Sequence, residues 1–263
     1  MKEAYWTLAD YEQFVSQMHK KTGIDLSLYK EQQMRRRLTS LRNKRGFRTF
    51  NDYYASMEKD DGMLEELVDR MTINVTEFYR NPRRWDVLRD KVIPALIENK
   101  RQINIWSAAC STGEEPYSLA ILLREHFPQL KVNILATDLD DKALAKAKQG
   151  AYGEQSLKAL PSEKKAKYFT FENNKYNIKN ELKPMITFKK HNLLKDPYPK
   201  NMDLIVCRNV LIYFTDEAKD YVYQNFSKSL VDKGILFVGS TEQIFNPDTY
   251  GLALFDTFFY EKK

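Results

Sequence analysis

The sequence predicts an α/β protein in two parts, an all-α N-terminal domain with its linker over residues 1–88 and a doubly wound α/β domain over residues 89–263. Apolar residues recur at helical spacing through the first part, which predicts amphipathic helices. From Ile103 onward, apolar strand-like runs alternate with helical segments. This alternation is typical of a mostly parallel sheet covered by helices on both faces.

The helices of the first part are predicted from an apolar stripe that repeats every three or four residues. Its members are Tyr11, Phe14, Val15 and Met18, followed by Met34, Leu38 and Leu41. The second of these segments is strongly basic, because residues 30–48 contain eight cations and one acid, Glu31. Arg35, Arg36 and Arg42 fall off the stripe, so we expect them to face solvent or an acidic partner. A solvated helix face and a docking surface both fit this pattern.

The sheet of the second part is predicted from apolar runs that are separated by helical segments. The runs occupy residues 103–106, 132–136, 185–189, 203–207 and 234–239, and a terminal hairpin pairs residues 253–255 with 257–260. Residues 153–190 do not follow this rhythm, since they are polar, rich in Lys and Asn, and contain short β-like pieces. They predict a small β-rich insertion.

A cofactor pocket is predicted where the first strand ends. Small residues at positions 108–113 follow that strand, Glu114 and Glu115 open a helix, and the next strand ends at Asp138. A strand, a tight turn, a helix, a second strand and an acid follow one another in nucleotide-binding βαβ units, where the acid accepts hydrogen bonds from ribose hydroxyls. An ordinary buried turn without a ligand is the alternative.

The residues around this turn narrow the choice of cofactor. Gly113 is its only glycine, whereas a dinucleotide fingerprint has three, and no Lys-Ser/Thr pair of a phosphate loop follows. A cofactor with ribose and no phosphate fits better, and S-adenosyl-L-methionine is the common one. Arg208 and Asn209 follow a third strand-like run. Because ligands of doubly wound sheets bind beyond the carboxyl ends of the strands, we expect this pair near Gly113 and Asp138.

Composition excludes several classes of protein. The chain has 263 residues, a formal net charge of +6 and two cysteines, which rules out a disulfide framework. Cys110 and Cys207 are predicted to be core residues rather than nucleophiles. The three histidines show no metal-ligand spacing, and neither a signal peptide nor a membrane-spanning run is visible. We therefore expect a cytoplasmic protein with no metal and no membrane insertion.

Residues 71–85, MTINVTEFYRNPRRW, join the two parts. Asn74, Thr76 and Arg80 are polar residues within an otherwise apolar stretch. The segment is predicted either to be a surface linker or to fold over the cofactor.

Five sequence blocks resemble the chemotaxis receptor methyltransferases, the CheR family, over nearly the whole chain. In chain order the blocks are TINVTEFYRN, WSAACSTGEEPYS, ATDLD, CRNVLIYF and GSTEQIF. The resemblance implies a Rossmann-like methyltransferase domain that transfers the methyl group of S-adenosyl-L-methionine to glutamate side chains of transmembrane chemoreceptors. The products would be γ-methyl esters and S-adenosyl-L-homocysteine.

The resemblance also implies roles for individual residues. The cofactor contacts carried over from the family are Asn74, Thr76, Arg80, Glu114, Asp138, Asn192, Leu193, Arg208 and Asn209. Arg80 and Tyr213 would lie near the transferred methyl group as catalytic residues. The helical N-terminal part, with Arg35, Arg36 and Arg42, would dock on the cytoplasmic helical domain of the receptor. The β-rich insertion corresponds to a subdomain that grips a receptor C-terminal pentapeptide in some members.

Two other functions are weighed against this one. The positive charge suggests a nucleic-acid methyltransferase, but the chain lacks a base-gripping motif, so no nucleic-acid partner is expected. The second alternative is an adaptor that docks on receptors and senses the cofactor without transferring a methyl group. The family residues, which are intact at all the positions carried over, argue against it. Nothing in the sequence indicates an obligate dimer, so a monomer is expected.

Overall fold

A computed structural model describes residues 8–72 and 76–263. The chain divides into two compact units, one of residues Met1–Ile73 and Tyr213–Tyr221, the other of Asn74–Ile212 and Val222–Lys263. This division falls earlier than residue 88. The reason is that Trp85 and Leu88 are buried in the core of the second unit.

The first unit contains four α-helices among the described residues. They are α1 (Leu8–Thr22), α2 (Glu31–Lys44), α3 (Phe50–Met57) and α4 (Asp61–Met71). Most of the apolar positions that predicted α1 and α2 are buried, including Phe14 and Met18 in α1 and Met34 and Leu38 in α2, while Val15 is half-buried. Asp10 of α1 accepts hydrogen bonds from the backbone N–H groups of Phe50 and Asn51 and so fixes the start of α3. The predicted all-α character of this part is confirmed.

The helices of the second unit continue the numbering. They are α5 (Pro82–Val87), α6 (Ile93–Ile97), α7 (Glu114–His126), α8 (Asp141–Gln149), α9 (Ser162–Tyr168) and α10 (Asp216–Ser229), whose first residues belong to the first unit. A π-helical turn, Leu88–Val92, joins α5 to α6.

In the described part of the second unit, ten strands form two sheets. They are β1 (Gln102–Ala108), β2 (Lys131–Asp138), β3 (Ala151–Tyr152), β4 (Phe169–Glu172), β5 (Lys175–Ile178), β6 (Ile186–Lys190), β7 (Met202–Cys207), β8 (Leu230–Val238), β9 (Leu252–Asp256) and β10 (Phe259–Lys262). The seven-stranded sheet has the order β6-β2-β1-β7-β8-β10-β9. Its first five strands are parallel, and β10 is antiparallel to both neighbours. The predicted doubly wound fold and terminal hairpin are confirmed.

The order of the strands reverses at β1, which lies between β2 and β7. In doubly wound sheets, ligands bind at the carboxyl ends of the strands beside such a reversal. The turns after β1, β2, β7 and β8 therefore lie at the edge where a ligand is expected.

One face of the sheet is covered less completely than predicted. Ile103 and Ile105 of β1 pack into the large core. On the opposite face, Asn104 accepts a hydrogen bond from the amide of Asn133, which is exposed. The chain crosses from β6 to β7 through residues 191–201 without a helix. That connection is too short to supply the usual crossover helix, so the part of this face near Asn104 is partly exposed. Trp106, on the same face, is buried against Tyr198 and Phe226.

The predicted β-rich insertion is present as a three-stranded antiparallel sheet of order β3-β5-β4. It does not have a core of its own, because Phe169 and Ile178 belong to the same buried cluster as Ile105. The last strand of the predicted interval, β6, pairs with β2 in the large sheet. Among residues 8–72 and 76–263, every helix is too short or too polar to be a transmembrane span.

Candidate functional site

The turn after β1 has an unusual backbone. Ala109, Ser111 and Gly113 all have φ between +50° and +94°. A Cβ atom on Gly113 would come within 2.8 Å of Ala147 and 3.0 Å of the Tyr152 hydroxyl. The glycine predicted to admit a ligand is thus required by packing against α8. Ala109 and Ser111, which precede Gly113, have left-handed backbone conformations at the carboxyl edge of the sheet. Strained conformations of this kind cluster at functional sites.

Asp138 ends β2 as predicted and is almost completely buried. Its two carboxylate oxygens accept hydrogen bonds from the N–H of Ser111 at 2.7 Å and the N–H of Asp140 at 2.9 Å. A carboxylate has about four acceptor sites, so room is left for a hydroxyl donor. Burial raises the pKa of Asp138, and the backbone N–H groups oppose that shift.

Glu114 is the first residue of α7, and its side chain is held by two hydroxyls. Thr112 donates to it at 2.6 Å and Ser156 at 3.2 Å. Burial raises the pKa of Glu114, and these two hydrogen bonds oppose the rise. A buried carboxylate of this kind is stabilised in its ionised form by a cationic ligand group.

Asn192 and Leu193 lie in the loop after β6. The Asn192 side-chain oxygen accepts a hydrogen bond from the N–H of Leu194 at 2.9 Å, while its own N–H donates to Asp196 at 2.8 Å. The hydroxyl of Tyr198 donates to the carbonyl of Leu193 at 2.6 Å. These bonds give the loop a fixed shape and leave the Asn192 side-chain amide as a donor for a ligand.

Arg208 follows β7, and its buried guanidinium donates hydrogen bonds to other parts of the chain. Its Nη2 donates to the Arg80 carbonyl at 2.8 Å and to the Asn81 side chain at 3.0 Å. Its Nη1 lies 3.7 Å from a carboxylate oxygen of Glu115, and its guanidinium lies 4.8 Å from the ring centre of Phe237. Burial lowers the pKa of Arg208, and Glu115 opposes the shift. Arg208 thus positions the segment that carries Arg80.

The segment around Arg80 is attached to the body of the second unit at two further points. The N–H of Phe78 donates to the Ser156 carbonyl at 2.9 Å, and the N–H of Tyr79 donates to the Ser118 hydroxyl at 3.0 Å. Thr76 is half-buried at the start of this segment. The predicted contact Asn74 lies outside the described residues. The segment therefore folds onto α7 and the insertion and is not a free linker.

Two acids at this edge were not predicted. Ser107 donates to Glu115 at 2.8 Å, and burial raises the pKa of that glutamate while Arg208 opposes the rise. Glu242 accepts backbone N–H groups from both turns after β7 and β8, including that of Asn209 at 2.6 Å. Asn209 has a φ of 62°. The double acid in CSTGEEPYS and the acid in GSTEQIF were the available sequence signals.

Tyr213, predicted to be catalytic, belongs to the first unit. The guanidinium of Arg37 lies 4.7 Å from the centre of its ring, and the N–H of Lys30 donates to its carbonyl at 2.8 Å. Arg80 belongs to the second unit. A joint role for Arg80 and Tyr213 stays a prediction.

The three arginines predicted to dock a partner differ in exposure. Arg36 is exposed, and Arg35 is half-buried and paired with Glu31 at 3.1 Å. The expectation that Arg42 faces solvent is wrong, because only 3% of it is exposed. Its guanidinium lies 4.7 Å from the ring centre of Phe50 in α3, and burial lowers its pKa. Arg42 therefore stabilises the packing of the helices.

The chemistry of this edge fits S-adenosyl-L-methionine. Asp138 has acceptor capacity left for hydroxyl donors, and Glu114 is a buried acid that a cationic amino group would stabilise. The backbone N–H groups after β7, which could hold a phosphate, already bind Glu242. A ligand with hydroxyls and positive charge suits these residues better than a phosphate. The thiols of Cys110 and Cys207 are buried, which raises their pKa values and leaves them unsuited as nucleophiles.

Comparison with known proteins agrees with this assignment. Residues 9–72 match the family domain described as CheR methyltransferase, all-alpha domain, and residues 74–257 match CheR methyltransferase, SAM binding domain. The chain belongs to the CheR methyltransferase family. It is thus a member of an S-adenosylmethionine-dependent chemotaxis methyltransferase family, and S-adenosylmethionine is the methyl donor that the matched domain indicates.

Relatives in the family align over almost the whole chain. A chemotaxis protein methyltransferase of Listeria innocua is 45% identical over 96% of this chain and 97% of its own length. A protein of the same name from Borreliella burgdorferi is 38% identical, covering 84% of this chain and 83% of its own. Among solved structures, an S-adenosylmethionine-dependent methyltransferase from Mesorhizobium loti is 20% identical over 59% of this chain and 52% of its own, at a TM-score of 0.34. That last likeness is too slight to bear on the fold.

Proposed function

We propose that the protein methylates glutamate side chains on the cytoplasmic helical domain of transmembrane chemoreceptors, forming γ-methyl esters and S-adenosyl-L-homocysteine. Membership of the CheR family carries this proposal, because both family domains match in order and their residues fit the donor. The protein is proposed to act in the cytoplasm as a monomer, without binding nucleic acid.

The donor site is proposed to be the carboxyl edge of β1, β2, β6 and β7. Asp138 would accept the ribose hydroxyls, Glu114 the amino group, and Asn192 with Leu193 would contact the adenine. Thr76, Arg80 and Asn209 complete the proposed contacts in the described residues, and Asn74 is retained from the family resemblance. Arg208 is proposed to act by holding the backbone of Arg80, since its guanidinium is buried against that carbonyl.

S-adenosylmethionine supplies an electrophilic methyl group on a sulfonium centre. A glutamate side chain has a reference pKa of about 4.3 and is ionised near neutral pH, so the protein does not have to remove a proton from it. The task of the site is to hold that carboxylate at about 3 Å from the methyl carbon. Arg80 and Tyr213 are proposed to orient it through hydrogen bonds, without pairing so strong that the carboxylate loses its reactivity.

Receptor docking is proposed for the exposed cations of α2, chiefly Arg36 and Arg35. Both lie off the buried stripe, and an acidic helical partner would gain charge pairs with them. Arg42 is left out of this proposal because it is buried. The β3-β5-β4 sheet has exposed edge residues such as Phe171.

A methyl-transfer assay tests this function. Radiolabelled S-adenosylmethionine and receptor-containing membranes should give label that mild base releases from the receptor, because methyl esters hydrolyse and methylated bases generally do not. Label in nucleic acid, with binding that falls steeply with salt, would favour a nucleic-acid methyltransferase instead. Receptor binding with no transfer of label would favour the adaptor.

A further inference from the structure

Glu242 is a buried carboxylate whose acceptor sites are all taken by the protein's own backbone. One oxygen accepts the N–H groups of Asn209 at 2.6 Å and Gly239 at 2.9 Å. The other accepts those of Val210 at 2.7 Å and Ile212 at 3.3 Å. A carboxylate has about four acceptor sites, so no site is left for a ligand.

The four donors belong to two turns that leave the same edge of the sheet. Cys207, the last residue of β7, pairs in parallel register with Val238, the last residue of β8. Asn209 and Val210 follow the first strand, and Gly239 follows the second. Glu242 therefore ties together two turns that are distant in the sequence.

The turn after β7 has a backbone conformation that directs consecutive N–H groups toward an anion. Asn209 is in the left-handed region with a φ of 62°, which Asn tolerates better than most residues. Its N–H and that of Val210 converge on one carboxylate. Consecutive N–H groups in such a turn form an anion-binding concavity, which in other proteins holds phosphate. Here the chain fills the concavity with its own side chain.

Gly239 makes this arrangement possible. A Cβ atom at that position would come within 2.3 Å of the Glu242 carboxylate and 2.8 Å of the Asn209 nitrogen. No other residue would leave room for the carboxylate. The Gly and the Glu of the block GSTEQIF thus serve one purpose, which is to hold the turn that contains Asn209.

We propose that Glu242 is a positioning residue for the methyl-donor site, acting through the backbone of Asn209 and Val210. The inference rests on the proposed function, in which Asn209 contacts the donor. If the carboxylate is lost, two or more N–H groups lose their acceptor, and the turn can leave its left-handed conformation. Donor affinity should then fall even if the sheet stays folded.

The test compares Glu242→Gln with Asp203→Asn by calorimetric titration of S-adenosyl-L-homocysteine. Asp203 is a matched control, since it is also buried and also accepts a backbone N–H, that of Asn104 at 2.8 Å, but at the start of β7. Glu242→Gln should weaken binding by about tenfold, the equivalent of about 1.4 kcal/mol. Asp203→Asn should lower Tm about as much as Glu242→Gln does and leave the affinity unchanged. Equal affinity in wild type and Glu242→Gln would overturn the inference.

Two further measurements test the proposal even if Glu242→Gln fails to fold. Gly239→Ala should reproduce the loss of affinity by displacing the carboxylate while Glu242 itself is kept. In the wild-type protein without ligand, the amides of Asn209, Val210 and Gly239 should be protected from hydrogen exchange. Exchange at the rate of an open loop would contradict the proposal without any substitution.

Kinetics separate positioning of the donor from general damage. At saturating donor, Glu242→Gln should leave the receptor KM unchanged. With the receptor held in excess and the donor varied, its donor KM should rise by about tenfold. Wild-type protein that fails to bind S-adenosyl-L-homocysteine would refute the proposed function. Wild-type binding together with an unaffected variant would refute only the role of Glu242.

Discussion

Two buried carboxylates at the same edge of the sheet differ in how many of their hydrogen-bond acceptor sites the protein itself occupies. Asp138, at the end of β2, accepts N–H groups from Ser111 and Asp140 with acceptor capacity left over. Glu242, after β8, accepts four N–H groups and has none left. Burial and position alone would assign both to the ligand. Counting acceptor sites separates the residue that can bind from the residue that can only hold the backbone.

The largest expected effect concerns Arg80, whose backbone is held by the buried Arg208. Arg80→Ala should abolish methylation and weaken S-adenosyl-L-homocysteine binding, because the contact side chain is lost while its support stays in place. Filter-bound radiolabel and calorimetry measure the two effects. Arg83→Ala is the control, since Arg83 is an exposed arginine of the same segment and should behave as wild type. Unchanged turnover in Arg80→Ala would refute its catalytic role.

Replacing Asp138 tests whether this carboxylate, unlike Glu242, binds the donor. Asp138→Asn should reduce S-adenosyl-L-homocysteine affinity by roughly a hundredfold, because hydrogen bonds to a charged acceptor contribute about 1.5–3 kcal/mol each. The control is Asp140→Ala. Asp140 caps α8 by accepting the N–H groups of Lys142 and Ala143, so its loss should lower Tm and spare affinity. If both variants bound equally well, Asp138 would be another structural carboxylate like Glu242.

A smaller effect is expected at α2, which is proposed to contact the receptor and not the donor. Charge reversal at Arg35 and Arg36 should raise the receptor KM by about three- to tenfold and leave S-adenosyl-L-homocysteine affinity unchanged. Lys148→Glu on α8 makes the same kind of charge change on the second unit and should have no such effect. A drop in donor affinity in the α2 variant would point to misfolding. Arg42→Glu should unfold the first unit, since Arg42 is buried.

The smallest expected effect is a dependence of donor affinity on pH. Burial raises the pKa of Glu114, so lowering the pH neutralises this carboxyl earlier than an exposed glutamate. Neutral Glu114 no longer attracts a cationic amino group, and affinity should fall as the pH decreases through the raised pKa. Titrations between about pH 5 and pH 8 would show this slope. Glu114→Gln should bind more weakly at the upper end and show a flatter profile, the remaining slope arising from Asp138.

Positions that depend on local sequence were predicted well, whereas the role of Asp138 in binding stays a prediction. Asp138 was found because an acid that ends a strand is visible in a few consecutive residues, and the sheet order confirmed that it lies beside the reversal at β1. Alternating strands and helices were sufficient to predict the doubly wound fold. The parallel register of β1 with β2 and β7 explains why these separate strand ends meet.

Residues whose role depends on distant parts of the chain were not predicted. Glu242 binds the N–H groups of Asn209 and Val210, and no local pattern announces a carboxylate used in that way. Arg42 looked exposed on a single helix, but Phe50 of α3 lies over it. The hydrogen bond from Arg208 to the Arg80 carbonyl was not foreseen either, and its predicted contact with the cofactor stays a prediction. Each of these outcomes requires knowledge of which elements pack together.

The return of the chain to the first unit at Tyr213–Tyr221 has a practical consequence for dissecting the protein. Lys30 and Arg37 hold Tyr213, so a fragment that begins at residue 74 would lack the residues that fix this tyrosine. Such a fragment should retain the turns proposed to bind the donor. Because Tyr213 is proposed to orient the substrate carboxylate, the fragment should lose methyl transfer even toward a short glutamate peptide. Supplying residues 1–72 as a separate polypeptide would then restore turnover only if the two pieces reassemble.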